Sequence, residues 1–334
     1  MTKKIKIAVV GLGRVGITHL EAIKELPDQI DLIALVDSNT EILKKVASIY
    51  KPKKSYSSFE AVLKDSEVEA VLLALPHNLH CPISLQIIES GKHVLVEKPM
   101  AISVAEADRM IEAADKAGVN LMVGHTRRYD PAYQLSKTYL PKIGKAFSIV
   151  LLMMAPITYN APAWWKSEAA TGGLVFTLAG PHVIDYCLWL FDDRKPISVY
   201  ATSYSNNPSY EGPDEGTIII EMDDGSSVNL HLSFNTSPSV QQCFITGSQG
   251  TMSFSHFYKK GDLIGRSKVD LVVNGELVFK DDGSEWSFRT QMREFANSII
   301  EKRRPSTSGE IGRQVVRVIE AALESAKTKN VVKF

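Results

Sequence analysis

The chain has 334 residues, 44% of them hydrophobic and 23% charged, with 38 Lys and Arg against 38 Asp and Glu. That composition excludes disorder, a collagen-like repeat and a disulfide scaffold, and the balanced charge gives no general attraction to polyanions, so no nucleic-acid partner is expected. The length fits one large domain or two ordinary ones, and no segment reaches the roughly 20 apolar residues that span a bilayer, so no membrane partner is expected.

In chain order, Ile5–Gly11 is β-branched and bounded by glycine, which predicts a buried strand. A helix follows over Arg14–Leu26, then a strand over Asp31–Asp37. Apolar strands are predicted at Glu69–Pro76, His93–Pro99 and Asn120–Thr126, separated by helices near Thr40–Tyr50, Phe59–Lys64, Cys81–Ser90 and Val104–Ala117. This alternation implies a parallel sheet covered on both faces. After a helix at Pro131–Leu140 the character changes. Strands are predicted at Ala146–Ala155, Ser198–Ser205, Gly216–Met222, Ser226–Phe234, Gln241–Gly247, Thr251–Ser255 and Val269–Lys280, with a hairpin turn at 223–226. Helices are predicted near Pro181–Phe191, Trp286–Lys302 and Glu310–Lys327. The fold class is therefore an α/β N-terminal domain over 1–125 and an α+β C-terminal domain over 126–334, with a large, mostly antiparallel open sheet. The last helix is free to return to the first domain. Arg14 interrupts the apolar start and no cleavage site follows, while Cys81, Cys187 and Cys243 make no disulfide framework. Both features fit a cytoplasmic protein. No metal spacing appears among the 8 histidines and 3 cysteines, so no metal is expected.

Gly11-Leu12-Gly13-Arg14-Val15-Gly16 follows a strand, opens a helix and meets Asp37 at the end of the next strand. That is the dinucleotide-binding context of a Rossmann domain. Gly11 permits a tight turn, Gly13 lets the backbone approach a pyrophosphate, and Gly16 allows close packing. Asp37 can bond the ribose hydroxyls of NAD and would repel a 2′-phosphate. Ser38 and its neighbours supply no arginine, so NAD is expected over NADP.

Val96-Glu97-Lys98-Pro99 after Gly91-Lys92-His93 resembles the E-K-P signature of the glucose-fructose oxidoreductase / inositol dehydrogenase / MocA family. Pro76-His77-Asn78-Leu79-His80 is similar to its P-N-x-x-H stretch, with His77 where asparagine is usual. The stretch 124–131, Trp165-Lys166 before Gly172-Gly173, His182-Val183-Ile184-Asp185 and Gly247-Ser248-Gln249-Gly250 also look like family segments, in order along the chain. The resemblance implies a Rossmann domain plus an open-sheet domain, a homodimer or homotetramer through that sheet, and hydride transfer between a cofactor and a sugar, sugar-derivative or cyclitol. An NAD-assisted glycoside cleavage and a non-catalytic NAD/sugar sensor are the other readings. Lys98 is expected to hold a substrate hydroxyl and His182 to move its proton. Asp185 could orient His182 or bind substrate. Leu75, Pro76, His77, His80 and Glu97 are expected around the cofactor, beside Arg14 and Val15. Arg127 and Tyr129 could reach substrate or cofactor, or form a polar link. Trp165 could stack on a sugar or belong to the core.

One departure stands out. The family usually places an aspartate four residues before the histidine. Here that position is Leu178, and counting forward from Gly172-Gly173 gives Thr177 instead. The disagreement of one residue predicts a kink, bulge or fresh helix start near Gly180-Pro181, since proline breaks a helix interior. Leu178 or Thr177 would then line the pocket where relatives place an acid, making it more apolar.

Overall fold

The structure, a computed structural model, describes residues 3–157, 161–257, 268–281 and 285–334. The chain forms two compact units. The first comprises Met1–Thr126 with Ser287–Gln314, the second Arg127–Trp286 with Val315–Phe334.

The first unit contains β1 (Ile5–Val10), α1 (Arg14–Lys24), β2 (Ile30–Val36), α2 (Thr40–Tyr50), β3 (Lys54–Tyr56), α3 (Glu60–Lys64), β4 (Ala70–Leu73), α4 (His80–Glu89), β5 (His93–Val96), α5 (Val104–Ala117) and β6 (Leu121–Val123). The strands are all parallel in the order β3-β2-β1-β4-β5-β6. Because β1, β4 and β5 are buried on both faces, they read as apolar runs, interrupted only by half-buried Lys6 in β1 and His93 at the start of β5. Local signals set the helix ends. Asn39 caps α2 through Glu41 N–H (3.0 Å) and Ile42 N–H (3.1 Å). Ser103 caps α5 through Glu106 N–H (3.2 Å), and Gly118 ends that helix at φ 67°.

The second unit contains α6 (Pro131–Tyr139), β7 (Ala146–Met154), α7 (Glu168–Thr171), α8 (Val175–Leu178), α9 (Gly180–Leu190), β8 (Pro196–Tyr204), β9 (Glu215–Met222), β10 (Ser227–Ser233), β11 (Val240–Gly247), β12 (Gly250–Phe257), β13 (Lys268–Val273) and β14 (Glu276–Lys280). After these come α10 (Ser287–Ile300), α11 (Gly309–Thr328) and β15 (Val332–Lys333). The sheet runs β14-β13-β12-β11-β7-β10-β9-β8-β15 and is antiparallel except where β7 lies parallel to β10. Its inner face, with Ile149, Leu151, Ile218, Leu230 and Cys243, forms one core with Val183, Ile184 and Cys187 of α9.

Two expectations need correction, and two short strands were not expected. Val269–Lys280 is a hairpin, not one strand: Asn274 (φ 52°) and Gly275 (φ 83°) form its turn between β13 and β14. Asn-Gly is a strong hairpin signal, and it was present in the sequence. The short strands β3 and β15 have too few residues for a periodic pattern. Finally, 126–334 is not one block. Residues 287–314, rather than the last helix as a whole, belong to the first unit. The cause is the apolar face of α10, where Phe288, Met292, Phe295 and Ala296 are buried and Phe288 meets His19 of α1 at 4.9 Å. Thr307 reinforces this by exchanging hydrogen bonds with Val123: its carbonyl accepts from Val123 N–H, and its hydroxyl donates to Val123 O, each 2.8 Å.

Candidate active site

In the first unit, every expected cofactor residue lies at or just beyond the carboxyl end of β1, β2, β4 or β5, the edge where parallel sheets bind ligands. Gly11 has φ 92°, and a Cβ there would meet Ala74 O at 2.3 Å. A Cβ on Gly16 would meet Gly11 O at 2.0 Å, so both glycines are required by the protein itself. Gly13 differs. A Cβ there would meet nothing within 4 Å, and no side chain caps α1, which starts at Arg14. The free N–H groups of that first turn and the open space beside Gly13 fit a pyrophosphate. Arg14 is exposed and Val15 half-buried on the same turn. The Asp37 carboxylate accepts from Leu12 N–H (2.9 Å) and Asn39 N–H (2.8 Å), which fixes it beside the glycine loop, and Ser38 is exposed.

The loop after β4 and the turn after β5 are tied together by His80. This ring is fully buried, with Nδ1 2.7 Å from Pro99 O and Nε2 2.9 Å from Leu75 O. Burial pushes its pKa down, and the two carbonyls pull the other way. His77 is buried with its ring 5.8 Å from His80, while Leu75 and Pro76 are half-buried. Glu97 is buried; its Oε1 lies 2.7 Å from His19 Nε2, and its Oε2 accepts from Lys98 N–H at 3.1 Å. Burial pushes the Glu97 pKa up, but the bond and charge of His19, with Lys98, hold it below the ordinary carboxylate range. Lys98 is half-buried and its bond to Pro99 is cis.

In the second unit, the segment before His182 is broken as its proline predicts. Helix α8 ends at Leu178, Ala179 interrupts, and α9 restarts at Gly180 with Pro181 in its first turn. The axis bends by 45° at this break. His182 is half-buried in that first turn. Upstream, Leu174 has φ 39°, a strained value for a branched residue, after Gly172 and Gly173 at 72° and 128°. Thr177 is buried, and its hydroxyl donates to Leu174 O at 3.2 Å.

Asp185 is buried and takes Arg128 as a bidentate partner, at 2.7–3.0 Å. Arg127 donates to the Tyr133 hydroxyl and, at 2.9 Å, to Gln241 Oε1. Tyr133 also bonds His256 Nε2 (2.6 Å) and Gln241 Nε2 (2.7 Å), and burial beside Arg127 holds the His256 pKa well down. Tyr129 is buried. Trp165 stacks on Phe234, with centroids 6.2 Å apart and planes at 12°. The structure therefore gathers the first-unit residues along one sheet edge, and in the second unit pairs Asp185 with Arg128. His19, Arg128, Tyr133, Gln241 and His256 had no assigned role. Only His19 carried a local signal, as a polar residue on the buried face of α1 one turn beyond Gly16. Among the described residues there is no cluster that could hold a metal ion, and no single helix is long and apolar enough to cross a membrane.

A model of an oxidoreductase family with an NAD-binding Rossmann fold matches residues 5–125, and that family's C-terminal alpha/beta domain matches residues 141–334. The chain belongs to the glucose-fructose oxidoreductase / inositol dehydrogenase / MocA family. It is an NAD(P)-binding oxidoreductase. It is 29% identical over 312 residues to a 4-carboxy-2-hydroxymuconate-6-semialdehyde dehydrogenase of Sphingobium sp., covering 91% of this chain and 93% of the relative. It is 25% identical over 354 residues to a myo-inositol 2-dehydrogenase of Thermotoga maritima, covering 99% and 98%. Among solved structures, an aldose-aldose oxidoreductase of Caulobacter crescentus complexed with glycerol shares the fold at TM-score 0.88 and 22% identity, covering 99% of this chain and all of that one.

Proposed function

We propose that the enzyme transfers a hydride between NAD and the carbinol carbon of a sugar, sugar derivative or cyclitol. The observation that carries this reading is the Lys98 turn at the carboxyl end of β5, held against the glycine-loop helix and the β4 loop by buried polar bonds. The bound cofactor would supply the two-electron acceptor. Gly13 and the first-turn N–H groups of α1 bind its pyrophosphate, and Asp37 receives the ribose hydroxyls. Lys98 Nζ holds the reacting substrate hydroxyl, and the imidazole of His182 takes up its proton. Arg127, Tyr129, Thr177 and Trp165 remain our candidates for the substrate side, and Asp185, paired with Arg128, is our candidate for holding α9 in place. The myo-inositol and aldose specificities in the names of relatives support a polyol substrate. NAD is favoured over NADP by Asp37, although one relative, of Bacillus subtilis, is named as NADP-dependent.

We further read the outer face of the second sheet as the surface of a homo-oligomer. Tyr200, Ile219, Val150 and Phe244 are exposed there and lie in one row across β8, β9, β7 and β11, with Asn229 of β10 between Ile219 and Val150. Apolar sheet faces of this kind are commonly covered by another chain. A monomeric mass by light scattering would refute it. The free, buried cysteines suit the reducing cytoplasm in which we place the enzyme.

The test is a screen of myo-inositol, scyllo-inositol, aldoses and levoglucosan with NAD, following reduced-cofactor absorbance. Turnover is expected, and Lys98→Ala should lower it by about 10²–10⁴ while NAD affinity stays within a few fold. Equal loss of cofactor binding would remove the assignment of Lys98. Cofactor binding without turnover on any polyol would favour a sensor.

A further inference from the structure

We infer that His19 and Glu97 form a positioning pair that sets where Lys98 sits and what charge it meets. The inference rests on the reading of Lys98 given above.

His19 lies on α1, the helix that opens at the glycine loop, and its side chain is fully buried. Its Nε2–H donates to Glu97 Oε1 at 2.7 Å, and the other carboxylate oxygen accepts from the backbone N–H of Lys98 at 3.1 Å. One carboxylate therefore joins the helix that binds pyrophosphate to the residue that follows it. The surroundings are shaped around this group. A Cβ on Gly124, just past β6, would lie 3.0 Å from the Glu97 carboxyl, so any side chain there would displace it. From α10, Phe288 sets its ring edge-on to His19, at 4.9 Å and 73°. The Nδ1 atom of His19 has no hydrogen-bond partner among the described residues. The ring is thus committed to a single bond, the one to Glu97. A buried carboxylate is costly unless it is bonded, and here both bonds are spent on holding the Lys98 turn in place. On the opposite side His80 reaches Pro99 O, so the turn is held from two directions. The pair acts through Lys98 and has no need to touch the substrate.

Two measurements separate this inference from the reading beneath it. The first needs no substrate. Lys98 is acetylated competitively in the whole enzyme, and its labelling is read by peptide mass against exposed Lys333. Glu97→Gln keeps the shape and removes the charge beside Lys98, so labelling of Lys98 should rise about fivefold. His19→Leu should move it the same way, because a buried carboxylate stripped of its partner takes up a proton. His19→Gln can still donate to Glu97 and should stay within about twofold of the wild type. Unchanged labelling in Glu97→Gln, or no rescue by His19→Gln, overturns the pair whatever Lys98 does in catalysis.

The second measurement follows turnover of the polyol found in the screen, with NADH affinity from fluorescence. His19→Leu should lower kcat by roughly 10- to 100-fold, as misplacement of a reacting group does, with NADH affinity little changed. In a Lys98→Ala background the same substitution should cost almost nothing further. Additive losses, or a loss confined to NADH binding, overturn the inference. If Lys98→Ala alone retains full activity, the catalytic reading falls and the labelling result still decides the pair. Should His19→Leu fail to fold, Glu97→Gln replaces it in both assays.

Discussion

Glu97 and Asp185 are both buried carboxylates, the first beside Lys98 and the second one helical turn after His182. Their partners differ. Glu97 is held by His19 and by a backbone N–H, so its bonds are directed at the position of its neighbour. Asp185 receives a bidentate guanidinium from Arg128, which pins α9 to the turn that enters the second unit. A carboxylate near a candidate catalytic group is therefore no guide to its own role. In our reading the partner decides: a permanent cation makes it a fastener, whereas a histidine and a backbone donor make it part of the site's geometry.

The sharpest way to break that comparison is Asp185→Asn. If Asp185 is a fastener, urea unfolding should show a loss of about 3–5 kcal/mol, because the largely covered Arg128 guanidinium is left without its counter-charge. NADH affinity should be unaffected. A small stability loss with a collapsed kcat would instead return Asp185 to the substrate side.

A third carboxylate, Asp130, extends the contrast. It caps α6 by accepting from Ala132 N–H at 3.0 Å, yet burial and Asp281 push its pKa up to about 6. The folded chain then holds a proton that the unfolded chain releases near pH 4. Stability from this group is present below about pH 4 and is lost as pH rises to 6. Over that window the loss should be roughly 3 kcal/mol, and Asp130→Asn, which keeps the cap, should remove most of it. Identical pH dependence in denaturant titrations of the two proteins would refute the assignment.

The smallest expected effect sharpens the comparison at the cofactor loop. Asp37 both receives ribose hydroxyls, in our reading, and holds Leu12 N–H. Asp37→Ala should weaken NAD binding by about tenfold, or roughly 1.4 kcal/mol, and narrow its advantage over NADP. Tighter NADP than NAD binding in the wild type would reverse the cofactor preference.

What the sequence made legible follows from how far each interaction reaches. Helix α5 was readable to its ends because Ser103 and Gly118 are local punctuation. The restart at Gly180 was readable because proline acts within one turn. The glycine loop was readable because Gly16 answers to the Gly11 carbonyl a few residues away and Gly11 to that of Ala74, just past the adjacent strand. The pairings Arg128–Asp185, His19–Glu97 and Tyr133–His256 were not readable. Each joins residues far apart in sequence, and no spacing rule connects them until the sheets bring them together. The Asn274-Gly275 turn is a different case: its signal was local, but the apolar residues on either side made one long strand the simpler pattern.

The return of residues 287–314 to the first unit has a consequence for synthesis. A ribosome adding 5–20 residues per second needs on the order of ten to thirty seconds to pass from Thr126 to Ser287. Through that interval the nascent first unit has its parallel strands but lacks α10, so the ring of His19 has no Phe288 against it and Val123 no Thr307. The first unit is therefore completed only after residues 127–286 of the sheet unit have been made. A fragment stopped at Thr126 would carry every glycine of the nucleotide loop and still present an unfinished apolar flank to chaperones.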